Sequence, residues 1–365
     1  MKQWLETRQV LDAIGALSRE GKRAALATVI RVRGSAYRHE GAKLVVGEND
    51  AITGNVSGGC LEEDVREVAR RVIASGTAER RSYCGGANEI AAWDLGVGCE
   101  GEVEILIERV VGDRAAERAF VAAEESFVVV TELARALGTA LGTSDAGGAA
   151  GAGAHAAPHE SSRRVIAGAD AASWIGDGTS RLEFRDGREL FVDVLVPPPR
   201  LLIVSGGDDA RHLARFADAV GFRVVVADRR PGLLAPERFP AGTRIVETDA
   251  ARLGERVVLD AESFAVVMTH HFADDTDYLR ALLQSPARYL GVLGPRQRTD
   301  RILGILRAEG PVEESRIFGP VGLDIGTDGA EQVALAVLAE VLAVRSGRRP
   351  RSLRERSAPI HAAGE

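Results

Sequence analysis

The sequence predicts an α/β protein with two domains, a mixed α/β domain followed by a doubly wound parallel sheet. The 365 residues are enough for about two domains, at roughly 150 residues each. Glycine is frequent, at 41 residues, while aromatic residues make up only 5%, a balance that suits an α/β protein with many tight loops. From residue 201 onward, short apolar strands alternate with helices, which is the pattern of βαβ units.

Composition and charge exclude several classes of protein. The chain has 46 Lys and Arg against 53 Asp and Glu and a net charge of −7, whereas a nucleic-acid binder needs a basic face to neutralise phosphates. No apolar run reaches the ~18 residues of a membrane span, and the first residues lack the apolar stretch of a signal peptide. The 3 cysteines include no CxxC pair and form no disulfide framework. We therefore expect a cytoplasmic protein with no membrane span and no nucleic-acid partner.

The elements of the first half follow from the spacing of apolar residues. An amphipathic helix opens the chain and ends at Gly21, and a second helical stripe covers 61–74. An Asp-Gly turn at 186–187 predicts a hairpin. The remaining strands of this half are predicted at 24–32, 44–46, 103–107 and 127–131. A short helix is expected between the strands at 103–107 and 127–131.

Low-complexity and proline-rich segments set the domain boundary. Residues 138–157 are rich in Gly and Ala and cannot bury enough side-chain surface to order themselves, so a flexible loop is expected. Three consecutive prolines at 197–199 form a stiff spacer. We place the first domain at 1–196 and the second at 197–365.

The second half alternates regularly between strands and helices. Such alternation with short loops predicts a parallel, doubly wound sheet. Strands are expected at 201–204, 222–227, 244–246, 264–269 and 289–293, and helices at 208–220, 274–283, 296–306 and 330–344.

A glycine turn joins the first strand of the second half to its helix. Ser205, Gly206 and Gly207 lie in this turn, which would bring backbone N–H groups close to a phosphate at the helix start. Asp228 follows Gly206 by 22 residues, near the ~20-residue spacing of a ribose-binding acid. Ser205 stands where a dinucleotide fingerprint has its first glycine. The pattern therefore predicts a Rossmann-like scaffold, either with a dinucleotide or with only a tight turn.

Two cysteines lie in glycine-rich loops of the first half. Ser57, Gly58, Gly59 and Cys60 directly precede a helix, and a thiol at a helix N-terminus has a lowered pKa. Cys60 is therefore a candidate thiolate, soft ligand or nucleophile, and the alternative is a small buried Cys at a tight turn. Cys99 is embedded in glycines before a strand, which suggests a backbone held close to a ligand or to a neighbouring segment.

Polar residues occur in a first-half loop and at the predicted strand ends of the second half. The loop 34–43 offers Arg38 and Lys43 to an anionic group, or is only a solvated turn. In open α/β sheets, ligands bind at the carboxyl ends of the strands. The residues expected there are His270 and His271, which would point to opposite sides, Arg296 at a helix start, where it suits phosphate recognition, and Asp324 in a glycine-rich segment.

Together these segments resemble the XdhC/CoxI family, the accessory proteins of molybdenum hydroxylases such as xanthine dehydrogenase. The resemblance covers nearly the whole chain, and the independent motifs occur in the same order, which makes it specific. The matching motifs are GSAYRHEGAK (34–43), GNVSGGCLEEDV (54–65), GVGCEG (96–101), SGGDDA (205–210), VVADRR (225–230), MTHHFADDTDYL (268–279), YLGVLGPR (289–296) and GPVGLDIG (319–326).

The resemblance implies a protein that binds the molybdenum cofactor (molybdopterin or its nucleotide form) rather than using it in turnover. It implies a chaperone that protects the cofactor during sulfuration and inserts it into a hydroxylase, a maturation factor more than a turnover enzyme. The implied partners are a molybdenum hydroxylase apoenzyme and a cysteine desulfurase, and a homodimer is considered as well. The residues expected to bind the cofactor are Ser57, Gly58, Gly59, Cys60, Cys99, Ser205, Gly206, Gly207, Asp228, His270, Arg296 and Asp324.

Two other functions remain open from the residues alone. One is an NAD(P)-dependent oxidoreductase that uses Gly206, Gly207 and Asp228, although no convincing acid/base pair accompanies the turn. The other is a docking adaptor without a ligand of its own. For the cofactor-binding protein, we expect the ligand between the two domains, because neither set of loops by itself resembles a closed pocket.

Overall fold

The structure, a computed structural model, describes residues 2–34, 36–59, 61–84, 102–133, 155–156 and 162–357. By its internal contacts the chain divides into two compact units. The first unit is Lys2–Pro197 and the second is Pro198–Glu365. None of the helices within the described ranges has both the length and the apolar character needed to cross a membrane.

The first sheet of the first unit is antiparallel. Its strand order is β3-β2-β1-β5-β4-β7 among the described residues, and β1 pairs on one side with β2 and on the other with β5. The strands are β1 (Ala24–Arg33), β2 (Lys43–Gly47), β3 (Ile52–Gly54), β4 (Glu79–Cys84), β5 (Glu102–Arg109) and β7 (His155–Ala156).

The second sheet is also antiparallel and has the order β8-β6-β10-β9. The predicted hairpin is present: Asp186 and Gly187 both have positive φ, 51° and 74°, the conformation of the turn that matches the twist of a hairpin. The strands are β6 (Phe127–Leu133), β8 (Arg163–Ala167), β9 (Arg181–Arg185) and β10 (Arg188–Leu195).

Helices pack on these sheets through the apolar stripes that predicted them. On α2, Val65, Val68 and Val72 are buried against the first sheet. On α1, Val10 and Ile14 also pack against the first sheet, while Trp4 and Leu11 pack against Phe127 of the second. The helices of the first unit are α1 (Lys2–Arg19), α2 (Glu62–Ser75), α3 (Ala115–Ala122) and α4 (Ala172–Ile175).

The cations predicted to serve an anionic ligand from the 34–43 loop are buried in ion pairs instead. Lys43 Nζ on β2 lies 2.7 Å from Asp193 Oδ2 on β10, and both residues are buried, at 4% and 2% exposure. Arg38 is buried and pairs with Glu6 of α1. Each buried charge requires a partner of opposite charge. The resulting ion pairs connect different elements within the first unit, so these two cations have a structural role there.

The second unit contains the doubly wound parallel sheet that the alternation predicted. All strand pairs are parallel, in the order β13-β12-β11-β14-β15-β16. The strands are β11 (Arg200–Val204), β12 (Arg223–Asp228), β13 (Arg244–Glu247), β14 (Phe264–Val267), β15 (Tyr289–Val292) and β16 (Ile317–Phe318), and the helices are α5 (Asp208–Ala219), α6 (Leu253–Arg256), α7 (Phe272–Leu283), α8 (Arg296–Glu309) and α9 (Ala330–Ser346).

Each face of the parallel sheet has its own apolar core. Leu201 and Ile203 of β11 pack with residues of α5 and α9, and the alternate residues Leu202 and Val204 pack with α7 and α8. Because side chains alternate across a strand and both faces are covered, the strands read as continuous apolar runs. Short 3₁₀ turns complete the described fold at Gly168–Ala171, Pro231–Leu233, Pro236–Arg238, Glu314–Arg316 and Leu353–Glu355.

Several short strands are absent from the sequence-based prediction. These are β3, β4, β7, β8 and β16. Strand β4 has the sequence ERRSYC and β8 has RRVIA, so they lack the apolar runs by which strands are recognised. The predicted flexible segment at 138–157 lies outside the described residues except for β7, where Ala156 pairs with Glu79 of β4.

Candidate functional site

The carboxyl edge of the parallel sheet carries most of the predicted site residues. Because the strands are parallel, the segments that follow β11, β12, β14, β15 and β16 all begin at this one edge. The first strand of the unit, β11, lies between β12 and β14, so the strand order reverses there. Ligands of open α/β sheets bind at such a point.

The glycine turn after β11 satisfies its own backbone. The Gly207 N–H donates to Ser205 Oγ at 3.0 Å, and the Gly206 N–H donates to Asp228 Oδ2 at 2.8 Å. Ser205 is fully buried. Both turn N–H groups that would face a pyrophosphate therefore already have acceptors within the chain.

Asp228 is also occupied by the chain itself. Its exposure is 2%, and its Oδ1 accepts from the Arg230 N–H and from Arg230 Nε, both at 2.9 Å. Arg230 Nη2 donates to Oδ2 at 2.8 Å. Burial alone would raise the pKa of Asp228, but the hydrogen bonds from Arg230 and the Gly206 N–H outweigh it, so the pKa is lowered. The carboxylate is thus ionised, buried and fully hydrogen-bonded.

The segment after β12 packs directly on the glycine turn. A Cβ on Gly206 would lie 2.7 Å from the carbonyl oxygen of Leu233, so only glycine allows this approach. Arg238 Nη2 donates to the Gly206 carbonyl at 3.0 Å. In a dinucleotide fingerprint, glycine allows the ligand to approach the backbone closely. Here residues 231–238 of the chain make that close approach instead.

These contacts predict weak dinucleotide binding. Ribose hydroxyls would have to displace Arg230 from Asp228, and a pyrophosphate would have to displace internal acceptors from the turn. Titration of the full chain with NAD⁺, NADH, NADP⁺ and NADPH by calorimetry should give no binding in the micromolar range. Micromolar affinity for any of the four would contradict this prediction and favour the oxidoreductase.

His270 lies at the point where the strand order reverses. Its backbone has φ 61°, a conformation that is uncommon outside glycine and that often marks a functional position. Its Nε2 lies 2.8 Å from Asp209 Oδ2 in the first turn of α5, and the side chain is 62% exposed. His270 is therefore held at the edge with its ring open to a ligand.

His271 has a different role. Its side chain accepts a hydrogen bond from the Asp274 N–H at 3.4 Å and caps α7. The two histidines thus contact different elements, His270 the first turn of α5 and His271 the first turn of α7. Within the ranges that the structure describes, no group of three or more His, Cys, Asp or Glu residues could hold a metal ion.

A buried carboxylate positions the segment that carries His270. Asp275 on α7 has 0% exposure and accepts from the Thr269 N–H at 3.1 Å. Its other oxygen accepts from Arg298 Nε on α8, also at 3.1 Å. One side chain therefore ties the end of β14 to the first turns of α7 and α8.

Glu340 on α9 holds the segment after β16. Its Oε2 accepts from the Gly322 N–H at 2.9 Å and from the hydroxyl of the buried Tyr289 at 2.6 Å. Burial and this carboxylate raise the pKa of Tyr289 well above its ordinary value, so the hydroxyl is protonated and donates. Gly322 has φ 101°, and a Cβ there would lie 3.2 Å from the Val337 nitrogen, which makes glycine necessary.

Two of the predicted residues at this edge are exposed to solvent. Arg296 begins α8, and Asp324 follows Gly322. Neither side chain has a hydrogen bond or ion pair with any described residue. Arg296, Asp324 and the exposed ring of His270 are therefore available, whereas Ser205, Gly206 and Asp228 are occupied.

The predicted loop of the first unit also bonds to itself. The Gly58 N–H donates to Asn55 Oδ1 at 2.8 Å, and Ser57 Oγ accepts from the Leu61 N–H at 2.9 Å. Gly59 N–H donates to the same hydroxyl at 3.3 Å. The Glu62 carboxylate accepts from the Ser57 N–H at 3.0 Å and from its hydroxyl. Cys60 and Cys99, the predicted thiol ligands, lie outside the described residues.

The described candidate residues thus fall into two groups, one in each unit. Ser57, Gly58 and Gly59 lie in the first unit, and the other described candidates share the carboxyl edge of the second. Four residues that shape this edge have no assigned role in the sequence-based prediction: Arg230, Asp275, Arg298 and Glu340. Of these, Glu340 leaves a signal in the sequence, because it is a lone carboxylate in the apolar run 333–344.

Comparison with known families gives matches in both units. The model of the XdhC Rossmann domain matches residues 201–341. The model of the XdhC and CoxI family matches residues 17–83.

Individual relatives resemble the chain over most of its length. It is 29% identical over 337 residues to a probable xanthine dehydrogenase subunit of Bacillus subtilis (strain 168), covering 91% of this chain and 96% of that protein. It is 25% identical over 328 residues to the molybdenum cofactor insertion chaperone PaoD of Escherichia coli (strain K12), covering 89% and 84%. A crystal structure described as a xanthine dehydrogenase from Bacillus halodurans shares 28% identity with a TM-score of 0.70, covering 94% of this chain and 97% of that chain.

Proposed function

Because the chain belongs to the XdhC and CoxI family, we propose that it binds the molybdenum cofactor and inserts it into a molybdenum hydroxylase such as xanthine dehydrogenase. The observation that carries this proposal is the alignment with the cofactor insertion chaperone, which extends over 89% of this chain and therefore includes both units. The Bacillus subtilis relative, whose name refers to xanthine dehydrogenase, supports the same class of client enzyme.

The proposal also covers the step at which the cofactor receives its sulfido ligand. We propose that the chain protects the cofactor while its sulfido ligand is installed, with a cysteine desulfurase as the sulfur donor. Thiolates suit a soft metal or sulfur transfer, and the two cysteines in glycine-rich loops supply candidate thiols.

The residues at the carboxyl edge fit such a cargo. The cofactor carries an anionic phosphate, and when bound it supplies the dithiolene-held metal that the client enzyme needs. Arg296 is exposed at the start of α8 and has no partner among the residues that the structure describes, so it can contact a phosphate. The exposed ring of His270 adds a second polar contact at the same edge. Both residues would bind and orient the cargo, and no catalytic step is assigned to either.

The oxidoreductase alternative has less support. A dinucleotide needs the turn N–H groups and the ribose-binding acid, and Gly206, Gly207 and Asp228 are hydrogen-bonded within the chain. A cargo that contacts the segments after β14, β15 and β16 avoids that competition.

Purification from a host that makes the cofactor, followed by transfer to an apoenzyme, tests the function. We expect molybdenum by elemental analysis, a pterin phosphate by mass spectrometry of the released ligand, and activation of purified apo-hydroxylase that depends on the chain. Absence of both molybdenum and activation would contradict the proposal. Activation without bound cofactor would favour the docking adaptor.

Replacement of Cys60 is expected to weaken cofactor retention. If its thiolate contacts the soft centre of the cofactor, Cys60→Ser should lower the molybdenum content of the purified chain several-fold, because a hydroxyl is a poor soft ligand. The measurement is molybdenum per chain after gel filtration.

Cys84→Ser is the matched control, because Cys84 belongs to none of the motifs that carry the family resemblance. It should leave the molybdenum content unchanged. Equal retention in the Cys60→Ser variant and the unaltered chain would remove Cys60 from the site.

A further inference from the structure

The first turn of α8 contains no acidic residue of its own. This helix of 14 residues begins after Pro295 and has no side-chain cap. By contrast, α5 has Asp208 and Asp209 in its first turn, and α7 has Asp274 and Asp275. Since a helix N-terminus carries about half a positive charge, α8 lacks the carboxylates that offset it in its neighbours. Arg296, at its first position, adds a full cation without a partner among the described residues.

A buried hydroxyl without a partner lies in the same turn. Thr299 is 2% exposed, and its Oγ1 has no hydrogen-bond partner within the described part of the chain. The Thr299 side chain packs against Gly319, because a Cβ on Gly319 would lie 2.5 Å from Thr299 Cγ2 and 2.7 Å from Thr299 Oγ1. Gly319 follows β16 at the carboxyl edge, so the Thr299 side chain lies between α8 and the segment 319–326. A buried polar group without a partner is unfavourable and indicates a missing partner.

The surrounding groups are held in place before any ligand arrives. Arg298 is committed to the buried Asp275, which leaves Arg296 as the available guanidinium of this turn. Glu340 holds Gly322, and the Val321 N–H donates to the Val292 carbonyl at 3.1 Å. Both α8 and the segment 319–326 are therefore held in place, which lowers the entropy lost on binding.

We propose that the amino end of α8 binds the phosphate monoester of an anionic ligand. The first-turn N–H groups that do not donate to the Pro295 carbonyl, together with the Arg296 guanidinium, would donate to phosphate oxygens, and Thr299 Oγ1 would donate to one of the same oxygens. A phosphate offers enough acceptor oxygens to meet all these donors at once. The site lies over the β15–β16 side of the sheet, away from the glycine turn where a dinucleotide phosphate would bind.

The inference rests on the proposed function only for the identity of the complete ligand. Phosphate binding itself can be tested without that ligand, so inorganic phosphate is the first probe. Calorimetry of the full chain at constant ionic strength, with chloride as the reference anion, should detect phosphate binding. Arg296→Ala should weaken it about tenfold, as expected when a charged donor is lost. Arg215→Ala is the matched control, because Arg215 is an exposed arginine within α5, and it should leave affinity unchanged.

Thr299→Val separates a binding role from a structural one. The replacement keeps the shape of the side chain and removes the unpaired hydroxyl, so the Tm of the phosphate-free chain should stay the same or rise. Phosphate affinity should nevertheless fall several-fold. Unchanged affinity in both Arg296→Ala and Thr299→Val, or no phosphate binding at all, would overturn the proposal.

The same variants distinguish this proposal from the proposed function. If the unaltered chain purifies with molybdenum cofactor and both variants retain it equally, the function stands and the phosphate site is wrong. If phosphate binding depends on Arg296 and Thr299 but no cofactor is bound or transferred, the site stands and the cargo is a different phosphate ester.

Discussion

Lys43→Met should lower the free energy of unfolding by about 3–5 kcal/mol, because it leaves the carboxylate of Asp193 buried without its cation. The pair is separated by 2.7 Å and almost completely inaccessible. Lys43 Nζ also donates to the Gly41 carbonyl at 2.8 Å, and Ser180 Oγ donates to Asp193 Oδ1 at 2.9 Å. Urea unfolding followed by circular dichroism measures the change.

Two further variants test whether the loss arises from the uncompensated charge. Lys43→Met combined with Asp193→Leu should recover most of the stability, because a buried pair can often be replaced by apolar residues of similar size. Lys22→Met removes a cation from the exposed pair with Glu20 and should change stability little. A Lys43→Met variant as stable as Lys22→Met would contradict the buried ion pair.

Asp275→Ala should destabilise the second unit by about 3 kcal/mol, the lower end for a broken buried pair. The lower end applies because the Arg298 side chain keeps 22% of its surface exposed and gains some solvation. The Thr269 N–H also loses its acceptor, so hydrogen exchange should become faster in a peptide that contains residues 268–272. Urea unfolding and exchange mass spectrometry measure the two effects.

Asp277→Ala is the matched control on the same helix. Asp277 is exposed and pairs with Arg280 at 2.5 Å, so its loss should have little effect on stability and none on the exchange of Thr269. Equal exchange of the 268–272 peptide in the Asp275→Ala variant and the unaltered chain would show that Asp275 does not hold this segment.

The second unit could be predicted in detail from the sequence, and the first only in part. Runs such as Leu201–Val204 are apolar at every position, and a helix with a recognisable stripe of apolar residues follows. The type of each element and its order along the chain can therefore be read from local sequence patterns. The polar strands β4 and β8 contain arginines that pair with Glu104 and Glu117. These ion pairs join residues that are distant in the chain, so no local sequence pattern predicts them.

For the candidate site, the sequence by itself determined the family resemblance and the placement of Gly206, Asp228, His270 and Arg296 on one sheet edge. Strand ends follow from local patterns, and the carboxyl ends of parallel strands meet at one edge of the sheet, so this placement could be reasoned out. Only the tertiary structure decided which of these groups are available. Arg230 occupies Asp228, Leu233 approaches Gly206, and Arg296 has no partner among the described residues. Availability depends on distances between segments far apart in the chain, and packing sets those distances.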